Sequence, residues 1–72
     1  GKVVNYESLK TGDLCFFGNN LKKITHVGIY LGNRRIIHAF EKVRIDNLDK
    51  KGIINSSTLK TTHKLKSIRR MN

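Results

Sequence analysis

Residues 24 to 40 read ITHVGIYLGNRRIIHAF, and no other stretch of the 72-residue chain limits the fold as strongly. Two runs rich in β-branched and aromatic residues flank Gly32-Asn33. That pattern specifies a β-hairpin. A lone hairpin is barely stable in water, so further strands or a packed partner have to complete it. Upstream, DLCFFG reads as a short strand closed by Gly18, with Asn19-Asn20 in a loop. Downstream, KVRID reads as a fourth strand, and HKLKSIRRM as an edge strand in keeping with the other apolar runs. The first ten residues are expected to be loop or a short turn, ending in the turn Lys10-Thr11-Gly12-Asp13. Residues 47–64 are polar and read as loop around Gly52 and Ser56-Ser57, with at most a short helical turn. The sum is a four- to five-stranded antiparallel sheet with one poorly covered face.

Each hairpin strand carries one histidine, His26 and His38. Side chains alternate faces along a strand, so the turn decides whether the two imidazoles meet. A two-residue loop at Gly32-Asn33 pairs Leu31 with Arg34 and puts the histidines on opposite faces. A three-residue loop with a bulge pairs even positions with even ones, so that Gly28 opposes His38 and His26 lies one pair away. The second register also gathers Val27, Ile29, Leu31, Ile37 and Ala39 on one apolar face, and it is preferred for that reason. Gly28, a glycine inside a strand, marks a close approach of another group.

Size allows one small domain over residues 1–72, burying roughly 60% of the surface its unfolded chain exposes. The single cysteine, Cys15, excludes an intramolecular disulfide. Flanked by Leu14 and Phe16, it reads as a small apolar strand residue. Cys15, His26, His38 and His63 match no common zinc-ligand spacing, so neither metal nor cofactor is expected. The formal net charge of +10 favours polyanions in general. The basic residues are scattered and the aromatics few, which argues against a dedicated nucleic-acid module. No stretch approaches the roughly 20 apolar residues of a membrane helix, and no signal peptide opens the chain. A start without methionine fits an excised or processed piece.

Three stretches in order, SLKTGDLCFFG, ITHVGIYLGNRRIIHAF and VRIDNLD, followed by LKSIRR, resemble the second half of the NlpC family of bacterial cell-wall cysteine peptidases. VRIDNLD resembles the branch that cleaves the γ-D-glutamyl to diamino-acid bond of peptidoglycan peptides. The resemblance implies a papain-like α+β domain, of which this chain is the C-terminal sheet portion with the covering helices largely absent. It makes His26 the base and His38 its orienting residue. The family's nucleophile sits upstream in an Asp-Cys-Ser-Gly-like stretch that this sequence lacks, so the chain alone is expected to be inert. The implied partners are a peptidoglycan peptide and the missing N-terminal half, whose helices would cover the histidine-bearing face. An uncovered face would favour self-association. The implied location is the bacterial cell envelope or the exterior. A non-catalytic basic module that binds anionic wall polymer or nucleic acid is the alternative class.

Overall fold

The computed structural model describes residues 1–71; Asn72, the last residue of the expected domain, lies outside them. Seven strands run in chain order: β1 (Lys2–Val3), β2 (Leu14–Asn20), β3 (Lys23–Gly32), β4 (Arg35–Phe40), β5 (Lys42–Leu48), β6 (Gly52–Ile54) and β7 (Thr61–Arg70). The helical content of the described residues is one 3₁₀ turn, Tyr6–Ser8. The antiparallel sheet was expected. Its strand count was not, because β1 lies in the segment read as loop and β6 in the polar stretch after residue 47.

The β3–β4 hairpin has the expected parity, reached by another route. Gly28 opposes His38, Ile29 opposes Ile37 and Tyr30 opposes Ile36, after which the register shifts to pair Gly32 with Arg35. The connection itself has two residues, Asn33 and Arg34, both at positive φ (51° and 61°). Such a turn matches the twist of the strands it joins. The extra residue is Leu31, bulged out of the ladder between Tyr30 and Gly32.

β7, read as an edge strand, is instead the closing strand. It pairs with β2 through Leu65–Arg69 and with β6 through Thr61–Lys64. β2 to β7 thereby close into a six-stranded barrel, with β1 added beside Arg69 and Arg70. Closure removes the exposed strand edges that a sheet this small would otherwise present. Arg70 fixes the end of β7 by donating from Nε (2.9 Å) and Nη2 (2.8 Å) to the two carboxylate oxygens of buried Asp13.

The barrel interior is filled by Cys15, Phe17, Ile36, Leu48, Ile53 and Ile68, with Val4 sealing one part of it. Closure puts the histidine-bearing face of the hairpin inside. The face that gathers the apolar residues points outward: Leu14, Ile29, Ile37 and Ile45 form one row across β2 to β5. Val27, Ile29, Val43 and Ile45 on that face are exposed. The expectation that helices must cover the histidine face is therefore corrected for this chain, whose own strands enclose it. Gly28 explains how that face packs. A Cβ there would stand 2.7 Å from Ile36 Cδ1, so the missing side chain is the space that the fully buried Ile36 uses.

Candidate active site

Parity and barrel closure deliver His26 from β3, His38 from β4 and Asp46 from β5 to the same interior. The register sets His38 against Arg44 and Ile36 against Asp46. Asp46 thus lies one diagonal step from His38, on the face that carries the inward-pointing even positions. His38 and Asp46 are buried, at 4% and 2% exposure.

These side chains form a continuous hydrogen-bonded chain. His26 Nε2 lies 2.8 Å from His38 Nδ1, and His38 Nε2 lies 2.8 Å from Asp46 Oδ2. Burial by itself would raise the Asp46 carboxyl. Hydrogen bonds from the Ser56 amide, His38 and Arg44, and the Arg44 charge, more than offset it and hold the carboxyl at about 2. Asp46 is therefore a carboxylate at neutral pH and only accepts. The Ser56 amide donates to Oδ1 at 3.0 Å, as does Arg44 Nη2 at 3.2 Å. Arg44 Nε stands 2.7 Å from Oδ2 without the alignment of a hydrogen bond, so that contact is ionic.

An acceptor-only Asp46 fixes every proton upstream of it. His38 carries its proton on Nε2 and donates it to Asp46, which leaves Nδ1 as an acceptor. His26 then donates from Nε2 to His38 Nδ1, and its own Nδ1 keeps a free lone pair. The arrangement presents one basic nitrogen, oriented by two successive hydrogen bonds that end in a buried anion. This is the wiring that general-base chemistry requires.

The sequence reading placed His26 and His38 together, and the structure does so. It did not bring two neighbours to them, Asp46 and the His63 that spacing set aside as a zinc ligand. Asp46 stood in the quoted VRIDNLD, and carrying the alternation of β4 across to β5 finds it. His63 had no such signal, since it reaches the cluster through the β6–β7 pairing. Its ring stacks on His26 with centroids 4.0 Å apart at 20°. Cys15 does not join the group as a reactive thiol. It is fully buried, and burial together with the Asp13 charge pushes its thiol up to about 12. A thiol in that state is not nucleophilic at neutral pH.

Burial, then the neighbouring His63 and His38, lower His26 below the ordinary 6.5. Burial and then His38 lower His63, with Asp46 opposing. Below pH 6.5 the unfolded chain takes up protons that these two imidazoles resist in the fold. The unfolded state then binds more protons, so stability falls as pH drops. The expected thermal midpoint is level between about pH 7 and 8 and declines below pH 6.5, ahead of the separate carboxylate window between about 4 and 2 set by Asp46. Calorimetric melts of the chain and of His63→Gln check this. The variant should show a shallower decline, and equal slopes would contradict the assignment.

Among the described residues, no helix is long and apolar enough to cross a membrane. The model of a family described as NlpC/P60 matches residues 1–62. Over 53 residues the chain is 43% identical to a "Probable endopeptidase NlpC homolog" of Haemophilus influenzae. That alignment covers 71% of this chain and 27% of the Haemophilus protein, so the chain spans about a quarter of that relative's length.

Proposed function

Because this chain belongs to the NlpC/P60 family, we propose that it forms the sheet portion of a papain-like α+β cysteine endopeptidase domain, with His26 as its base. The observation that carries this is the run from His26 through His38 to Asp46, with 2.8 Å at each link. In this reading a cysteine supplied by another segment places its thiol at His26 Nδ1, which removes the proton. The thiolate attacks the scissile carbonyl, and the same imidazole, now protonated, gives its proton to the leaving amine. His38 and Asp46 hold the ring and stabilise the imidazolium that forms between those steps. The substrate class is a peptidoglycan peptide and the location the cell envelope or beyond it. The VRIDNLD stretch supports cleavage between γ-D-glutamate and a diamino acid.

The test joins this chain to the part of the Haemophilus relative that it does not match and assays γ-D-glutamyl-diamino-acid peptides. The chimaera should hydrolyse them, and His26→Ala should lower kcat/KM by at least about 1,000-fold, since removing a triad base costs on this order or more. The 72-residue chain alone should be inert. Activity of the isolated chain that Cys15→Ala abolishes would overturn the assignment, as would a chimaera indifferent to His26→Ala.

A further inference from the structure

His63 has no part in that chemistry, yet it completes a cluster with a chemistry of its own. We propose that His26, His38 and His63 form a binding site for a divalent transition-metal ion of the zinc type. Each offers one ring nitrogen, and the three nitrogens lie within 4.8 Å of one another. They come from three strands, β3, β4 and β7. Sequence spacing, which finds zinc sites built on one short segment, therefore had nothing to register.

The outer contacts of these rings are those a metal-bound imidazole needs. His38 turns Nδ1 toward the cluster while its other nitrogen is held 2.8 Å from buried Asp46. A carboxylate behind a histidine orients the ring and raises its basicity toward a metal. His63 Nδ1 is engaged by the Thr62 hydroxyl at 2.8 Å, which leaves Nε2 for a ligand role. Phe17 and Phe40 pack edge-on or tilted against the imidazoles and give the site apolar walls.

Ring nitrogens that lie up to 4.8 Å apart must draw together by as much as about 1.5 Å to hold one ion. Zinc–nitrogen bonds of 2.0–2.1 Å at tetrahedral angles separate ligand nitrogens by ~3.3 Å. The His26–His38 pair, at 2.8 Å, opens by about half an ångström to meet that. His26 and His63 are only half-buried, so they have room to close on an ion beside the fixed His38. Three imidazoles and a free fourth position suit zinc, cobalt, nickel or copper, and not magnesium or calcium.

The site stands on this geometry alone, independent of the peptidase reading. Where that reading also holds, the two uses exclude each other. A metal on His26 Nε2 takes that nitrogen's lone pair, so the ring proton moves to Nδ1 and the base is lost.

The experiment titrates the untagged, folded chain with Co²⁺ and then Zn²⁺, without substrate. The expected result is a one-to-one complex with the visible absorption of tetrahedral cobalt, displaced by zinc and unaffected by excess Mg²⁺. His63→Gln, at a half-buried position, should weaken Zn²⁺ binding at least ~100-fold, and Asp46→Asn ~10- to 100-fold. Circular dichroism verifies that each variant is folded, and the chemical shifts of the three imidazoles should move on Zn²⁺ addition. Absence of a one-to-one complex, or Zn²⁺ affinity unchanged in folded His63→Gln, overturns the proposal. Because binding is read on the chain alone, a failed peptidase assay leaves this result standing, and the reverse also holds.

Discussion

Asp46→Ala should cost the barrel about 3 kcal/mol or more, the range in which one partner is removed from a buried ion pair. The carboxylate is 2% exposed and accepts from the Ser56 amide, His38 and Arg44, and all three lose their partner together. His38 is itself buried, so water cannot readily replace the acceptor its Nε2–H loses. Domains carry about 0.05–0.15 kcal/mol of stability per residue, which for a chain this size is on the order of 4–11 kcal/mol. The variant therefore loses about a quarter or more of its total. In urea, with a slope near 1 kcal/mol/M for small domains, the midpoint should fall by about 3 M, or the folded baseline should vanish. Asp46→Asn keeps the volume and one acceptor, so it should fall between wild type and Ala. A loss below about 1 kcal/mol for Ala would mean that the network is not what holds β4 and β5 in register.

The same residue marks where sequence reasoning reached and where it stopped. Local patterning located β2 to β5 and β7 and set the Gly28–His38 pairing, because strand period and turn chemistry are short-range. It did not settle which face of the hairpin is inside. Both faces hold large apolar residues, Tyr30 and Ile36 on one and Ile29 and Ile37 on the other, so counting apolar side chains does not decide between them. Closure decides the matter, and closure depends on β6, a three-residue strand in a polar stretch. Gly52, Ile53 and Ile54 have too little periodicity to announce a strand, and their partners on β7 lie about ten residues further on. The place of His63 beside His26 was not foreseen for the same reason. The papain-like helices implied by the resemblance have no counterpart among the described residues, whose barrel supplies its own cover.

That dependence on β6 makes Gly52→Ala the sharpest test of the fold. Gly52 opens β6, is buried, and pairs with Lys64 at a φ of 155°. A Cβ there would collide with the His63 carbonyl oxygen and lie 2.9 Å from the carbon that carries it. Both are backbone atoms of β7, so no side-chain rotation relieves the contact and β6 must part from β7. Ile53, fully buried on β6, and Leu48, its partner on β5, lose their cover as the barrel opens. The expected cost is about 4 kcal/mol or more, in the range reserved for disrupted cores and buried networks. Gly12→Ala is the control that separates collision from backbone strain. Gly12 also sits at positive φ, 96°, with nothing within 4 Å of an added Cβ, so about 1–2 kcal/mol of left-handed strain is all it should lose. Equal losses in the two variants would show that strain alone was measured and that β6–β7 closure carries no stability. With Gly52→Ala well below Gly12→Ala in denaturant midpoint, His63 should also leave its stack on His26, and the two imidazoles' chemical shifts should drift toward exposed values. The third histidine of the cluster is held in place by the smallest residue in the chain, eleven positions before it.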